Sequence, residues 1–209
     1  MPELPEVETS RRGIEPWILN ARIADVVVRD RRLRWPVARG IENKLRGRRI
    51  ESVGRRAKYL LIGTDDGTAI VHLGMTGSVF IVDHDAPAGI HDHFDILLDS
   101  GRSLRFRDPR RFGSFFFSKK PLAHPLLAEL GPEPLGDDFD GEYLWRRSRG
   151  RKVSVKQFIM NAKVVVGVGN IYASESLFLA GINPKRAAGR IARHRYDALA
   201  DAIRDVLGR

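Results

Sequence analysis

Phe94-Asp95-Ile96-Leu97-Leu98, Asp99-Ser100-Gly101 and Ser103-Leu104-Arg105-Phe106-Arg107 form two short apolar or alternating runs that meet across a turn. Aliphatic and aromatic residues at every second position fill one face of a pleated surface, and Ser-Gly turns the chain back, so the pair reads as antiparallel strands. The same pattern extends outward. Arg22–Val28, Ile50–Val53, Tyr59–Ile62, Ala69–Leu73, Ser78–Val82 and Ser114–Phe117 repeat it, with Asp-Asp-Gly and Pro-Ala-Gly turns along the way. Eight strands at this spacing predict an antiparallel sandwich or barrel, of which the sandwich is the expectation here. A leading helix precedes them, with Leu4, Val7, Ile14 and Ile18 at helical spacing, and a short helix is expected over Val37–Leu45.

From about Leu122 the period becomes helical, after a loop containing Gly131-Pro132-Glu133-Pro134. The expected class is therefore α+β. A β-sandwich domain over residues 1–120 leads through a linker at 121–135 to a helical domain at 136–209. Helices are expected at Gly141–Arg147, Val153–Ala162, Ile171–Ala180 and Gly189–Leu207, the last with Ile191, Leu199, Ile203 and Val206 on its apolar stripe. Between the second and third lies Val164-Val165-Val166-Gly167-Val168-Gly169-Asn170. Asn170 is expected to cap the following helix and Gly181 to end it. Glycines before a helix N-terminus leave N–H groups free to meet a phosphate, and a helix-turn-helix whose first arm carries Lys152, Lys156 and Lys163 suits a nucleic-acid backbone.

Charge points the same way. The 209 residues carry 36 Lys+Arg against 26 Asp+Glu, a net +10. Arg29 to Lys58 holds 12 basic residues against Asp30, Glu42 and Glu51, and Trp145 to Lys163 holds seven with no acid. Two blocks of one sign suit a single polyanion, and a pair of solvated basic faces accounts for them as well. The hydrophobic content of 43% is ordinary for a globular protein. No apolar run reaches the length of a membrane span and no signal segment opens the chain, so a soluble, cytoplasmic protein is expected. The absence of cysteine excludes disulfides and thiolate metal sites from this chain.

The first residues, Met1-Pro2-Glu3-Leu4-Pro5-Glu6-Val7-Glu8, carry a different chemistry. Pro5, Glu6 and Glu8 make an ordinary helix start, which leaves Pro2 and Glu3 unexplained. Loss of Met1 would expose a proline secondary amine beside a carboxylate. A terminal amine titrates near about pH 8 and a lysine near about 10.4, so only the former offers an appreciable free base at neutral pH without deep burial.

Five stretches run in one order along the chain: Pro2-Glu3-Leu4-Pro5-Glu6-Val7-Glu8-Thr9, Arg56-Ala57-Lys58-Tyr59-Leu60, His72-Leu73-Gly74-Met75-Thr76-Gly77, Asp108-Pro109-Arg110-Arg111-Phe112-Gly113 and Val166-Gly167-Val168-Gly169-Asn170-Ile171-Tyr172. In these the sequence resembles the bacterial formamidopyrimidine-DNA glycosylases over essentially its whole length. The resemblance implies a helix-two-turn-helix motif in the helical domain and a monomer bound to the nucleoid through DNA. It implies excision of oxidised purines such as 8-oxoguanine and formamidopyrimidines from double-stranded DNA, then β,δ-elimination at the abasic site. Pro2 would be the nucleophile that forms an imine at C1′, Glu3 the proton donor to the opened sugar and Glu6 a supporting carboxylate. Met75, Arg110 and Phe112 would fill the gap left by the flipped nucleotide. Lys58, His72 and Asn170 would contact phosphates flanking the lesion, with His91 and Lys156 also at the DNA, and Lys58 retains a rival role as a catalytic amine. Without the motifs, Met75 reads as core, Phe112 as a partner of Phe115–Phe117 and Arg110 as a surface charge.

Members of the family continue into a lesion-covering loop and a four-cysteine zinc finger, neither of which occurs in these 209 residues. No cofactor is expected within the chain, and His91-Asp92-His93 is not read as a metal site. Two rival functions stand beside the enzyme: a catalytically impaired nucleic-acid-binding module using the basic blocks, and a metal nuclease drawing on Asp92, Asp95 and Asp108.

Overall fold

The hairpin at the centre of the sequence forms as its pattern requires. In the computed structural model, which describes residues 2–209, β6 (Asp92–Leu98) and β7 (Arg102–Arg107) pair antiparallel with Phe94 opposite Phe106 and Ile96 opposite Leu104. Gly101 closes the turn at φ 80°, a left-handed conformation that glycine adopts without steric cost. The inward residues meet as stacked rings, Phe94 lying 4.9 Å from Phe106 and 4.0 Å from Phe115.

The remaining strands are β1 (Ile23–Val28), β2 (Ile50–Arg56), β3 (Tyr59–Thr64), β4 (Gly67–His72), β5 (Ser78–Asp83) and β8 (Ser114–Ser118). They form two four-stranded antiparallel sheets, ordered β1-β6-β7-β5 and β2-β3-β4-β8. The apolar faces share a core that includes Ile23, Leu60, Ile62, Val71, Phe94, Ile96, Phe106 and Phe115. The leading helix, α1 (Leu4–Ile18), adds Val7, Ile14 and Ile18 to that core. The expected helix over Val37–Leu45 shrinks to α2 (Ile41–Leu45), because Gly40 enters it at φ 81°, outside the helical region.

On the other face of β6 and β7 lies a cluster of charges. Asp95 sits opposite Arg105, and Arg105 bonds it at 3.0 and 2.9 Å while donating to the carbonyls of Ala86 and Pro87. Arg29 reaches the same carboxylate at 2.6 Å, and Arg107 holds Asp92. Burial would raise both carboxyl pKa values, yet these guanidinium partners bring them below the ordinary carboxylate value.

The chain divides into two compact units, Pro2 with Glu6–Leu127, and Glu3–Pro5 with Ala128–Arg209. The short α3 (Pro125–Ala128) ends the first unit, with Ala128 alone in the second; the second is helical, with α4 (Gly141–Ser148) and α5 (Val155–Ile159) before α6 (Asn170–Leu179) and α7 (Arg193–Gly208). Asp140 caps α4 and Ser154 caps α5 through their side chains. Helix α5 is half the expected length, since the Asn161 side chain takes the Lys163 N–H at 2.9 Å and turns the chain. Lys156 lies on α5, while Lys152 and Lys163 flank it in sequence. Helix α7 begins at Arg193 rather than Gly189, because Ala188–Arg190 forms a separate 3₁₀ turn ahead of it.

At the end of α6, Gly181 adopts φ 63°. Its N–H bonds Phe178 O and the Ile182 N–H bonds Leu177 O, the paired bonds of a Schellman termination. The core of this unit gathers Leu4, Phe158, Leu177, Tyr196, Leu199 and Ile203, and the buried Tyr196 hydroxyl donates to Ala188 O at 3.0 Å.

Candidate functional site

Pro2 is half-buried, and Met1, whose removal the amine chemistry needs, lies outside the described residues. Glu3 is only 3% exposed and belongs with the helical unit. One of its carboxylate oxygens accepts the Gly169 N–H at 2.9 Å and the Tyr172 N–H at 3.3 Å; the other accepts the Ile171 N–H at 3.0 Å. Those are N–H groups of the first turn of α6, left without intrahelical acceptors. The expected cap at Asn170 is therefore incorrect: Gly169 is the cap residue, it makes no side-chain cap bond, and Glu3 does the capping from the other end of the sequence. A carboxylate outcompetes an amide there because its full charge faces the positive end of the helix dipole.

The two glycines of the Val-Gly-Val-Gly strip permit this approach. A side chain at Gly169 would fall on the Glu3 carboxyl group, and one at Gly167, which has φ 82°, would fall on Leu4. The Leu4 N–H also donates to Gly167 O at 3.3 Å. Glycine is thus fixed at both positions by the close packing of the N-terminal residues, which settles what Gly-x-Gly alone left open.

Asn170 and Ser174 lie one turn apart on one exposed face of α6, and the Lys156 ammonium donates to the Ser174 hydroxyl at 2.9 Å. Lys156 and Asn170 are therefore brought onto one polar surface of the helical unit.

In the sheet-bearing unit the other candidates collect at strand ends. Lys58 follows Ala57, which turns the β2–β3 hairpin at φ 54°, and β3 places Tyr59 opposite His72. The two rings lie 4.7 Å apart. His72 Nδ1 accepts the Gly74 N–H at 3.0 Å, which puts the proton of the neutral ring on Nε2. Burial, with the Lys58 and Arg34 charges nearby, pushes the His72 pKa down to about 4, so at neutral pH this imidazole is an uncharged donor.

Met75 and Phe112 are exposed at 41% and 39%, so neither is core, and Phe115 occupies the core position instead. The Arg110 guanidinium lies over the Phe112 ring, 4.6 Å from its centre. His91 is exposed, and its carbonyl accepts the Asp108 N–H at 3.0 Å. Glu6 is exposed on α1. The structure thus groups Lys58 with His72 and gathers Met75, Arg110 and Phe112 at neighbouring turns. Sequence reading missed Asp108 and Thr76 as a link between those turns; an aspartate followed by proline was the available signal for a side chain that organises its own loop.

Among the described residues no group of three His, Asp or Glu stands ready for a metal. Asp92 and Asp95 are engaged by arginines, and Asp108 by Thr76 and backbone N–H groups, so the nuclease ligand set is not assembled. Nor can the chain hold the four-cysteine zinc of the resemblance, since it has no cysteine. No helix among the described residues is long and apolar enough to cross a membrane.

Exposed aromatic and cationic side chains at the turns of the two-sheet unit, and a helical unit with Lys156 and Asn170 on one polar surface, suit the class of protein that grips a nucleic-acid backbone. Comparison with known proteins narrows the class. The model of the formamidopyrimidine-DNA glycosylase N-terminal domain matches residues 1–115, and that of the family's H2TH domain matches residues 130–209. The formamidopyrimidine-DNA glycosylase of Stutzerimonas stutzeri is 62% identical over 99% of this chain and 77% of that protein; the one from Thioalkalivibrio sulfidiphilus is 59% identical over 100% and 77%. Among solved structures, the Lactococcus lactis enzyme bound non-covalently to DNA containing an AP site aligns at a TM-score of 0.91 with 30% identity, covering 99% of this chain and 80% of that one. A complex of the same enzyme with Fapy-dG DNA gives 0.91 with 31% identity, covering 99% and 78%. This chain belongs to the formamidopyrimidine-DNA glycosylase family, and so to the DNA glycosylases of base repair.

Proposed function

We propose that the chain binds double-stranded DNA as a monomer, releases oxidised purines and cleaves the resulting abasic site through an imine at Pro2. Once Met1 is gone, the Pro2 nitrogen attacks C1′ of the flipped nucleotide. The C1′–N bond to the damaged base breaks, the base leaves with a proton, and the ring-opened sugar remains bonded to Pro2 as an iminium ion. The proton that the Pro2 nitrogen loses on bonding to C1′ passes to the Glu3 carboxylate and from it to the opening sugar oxygen, while the departing base takes its proton from solvent. The iminium then acts as the electron sink for β- and δ-elimination of the flanking phosphates. Met75, Arg110 and Phe112 enter the gap; Lys58, Asn170 and Lys156 hold phosphates, with His91 beside the DNA and Glu6 supporting the site. His72 Nε2–H donates to a phosphate as a neutral group.

The observation that carries this reading is the buried Glu3 carboxylate, next to Pro2 in the sequence and held by the N–H groups of Gly169, Ile171 and Tyr172. A catalytic carboxylate gains from being held in one geometry. Borohydride, which reduces an imine to a stable amine, supplies the test. Protein lacking Met1 should become covalently attached to a duplex containing 8-oxoguanine or an abasic site, and protein retaining Met1 should not. Equal attachment of both forms would contradict the assignment.

A further inference from the structure

The turn carrying Met75 and the turn carrying Arg110–Phe112 leave different strands, yet one side chain joins them. Asp108 is fully buried. One carboxylate oxygen accepts the Thr76 hydroxyl at 2.6 Å and the Arg110 N–H at 3.3 Å; the other accepts the Gly113 N–H at 2.8 Å. Its main-chain oxygen lies 2.7 Å from Nε2 of the buried His93, and the Arg110 N–H is also shared with the Thr76 hydroxyl at 3.3 Å. The backbones touch as well, for a side chain at Gly74, which has φ 67°, would fall on the Phe112–Gly113 main chain. Thr76 is the one group from the Met75 turn that reaches this carboxylate by its side chain, and its bond is the shortest of the set.

We infer that Asp108, acting through Thr76, is the positioning residue that makes Met75, Arg110 and Phe112 one rigid wedge. The inference rests on the proposed insertion of those side chains into duplex DNA. Three side chains on independently moving turns would each lose conformational freedom on entering the gap, whereas turns already locked together lose little. The bond is charge-assisted and lies at the base of the wedge, so it fixes the spacing between the two tips without touching DNA.

Thr76→Val keeps the shape of the side chain and removes the donor; Thr76→Ser restores it; Asp108→Asn perturbs the hub itself. Each is compared with wild type for borohydride-trapped adduct formation on an abasic duplex and on the same abasic strand alone, where no stack has to be opened. Loss of a hydrogen bond to a charged group predicts roughly ten-fold slower trapping of the duplex by Thr76→Val, with single-strand trapping within about two-fold and Thr76→Ser near wild type. Asp108→Asn should show the same duplex-selective loss. Equal slowing on both substrates, or unchanged duplex trapping by Thr76→Val, would overturn the inference. A wild-type chain that traps neither substrate would overturn the proposed imine chemistry and this inference with it.

Discussion

Glu3→Gln preserves the shape of the side chain but replaces one carboxylate oxygen with an NH₂ group. The wild-type carboxylate accepts three N–H groups, at 2.9, 3.0 and 3.3 Å. The amide can face only one of its ends toward them as an acceptor, so a donor meets a donor at the other. When the amide oxygen faces Ile171, the buried Gly169 N–H is left without an acceptor. An unsatisfied buried donor costs about 1–3 kcal/mol, and the lost charge at the helix N-terminus about 0.3–1 kcal/mol more. The total is roughly 1–4 kcal/mol, which for a chain of this size lowers Tm by roughly 3–16 °C. Calorimetry gives the shift, and amide exchange at Gly169, Ile171 and Tyr172 shows whether it originates at α6. Asp201→Asn, on the exposed face of α7, is the control and should stay within about 0.5 kcal/mol of wild type. A Glu3→Gln protein that melts within about 1 °C of wild type, with unchanged exchange at those amides, would refute the capping argument.

Three further outcomes follow from the geometry. His72 has a folded pKa of about 4 against its ordinary 6.5, so the unfolded chain takes up the proton first. The stability this contributes is present above pH 6.5 and is lost as pH falls toward 4; urea titrations should show about 2 kcal/mol lost between pH 7.5 and 5 that His72→Gln does not lose. Arg105→Leu leaves Asp95 and Asp92 buried without their central partner, and should cost about 3 kcal/mol in urea unfolding. That is the low end of the range for a broken buried pair, because Arg29 and Arg107 still hold the two carboxylates. If Lys156 meets a phosphate, Lys156→Gln should weaken duplex binding alike for all sequences and reduce the slope of log affinity against log salt by about 0.9; an unchanged slope removes it from the interface.

The strands were legible because alternation is a local property. Phe94, Ile96 and Phe106 declare which face is buried, whatever else the chain does, and all eight expected strands form two antiparallel sheets. Helix ends were less so. The sequence around Val153–Ala162 is helical in period, but one Asn161 side-chain bond stops α5 early. Least legible was the cap of α6. Asn170 is the natural choice for a reader confined to neighbouring residues, whereas the group that outcompetes it is separated from Gly169 by 166 positions.

The candidate site divides in the same way. Met75, Arg110 and Phe112 could be singled out from their turn motifs, because glycine-flanked loops project side chains. The neutrality of His72 could not, since it follows from burial and from the Lys58 and Arg34 charges that the fold brings near. Asp108 likewise looked like one acid among three until its two oxygens were seen to join separate turns.

The central claim is that one particular nitrogen forms the covalent bond to DNA. After borohydride trapping on an abasic duplex, the adduct can be digested and the peptide carrying the sugar remnant sequenced by mass spectrometry. The account predicts the remnant on the N-terminal nitrogen of Pro2, in peptides lacking Met1. A remnant on Lys58 or any other lysine would contradict it.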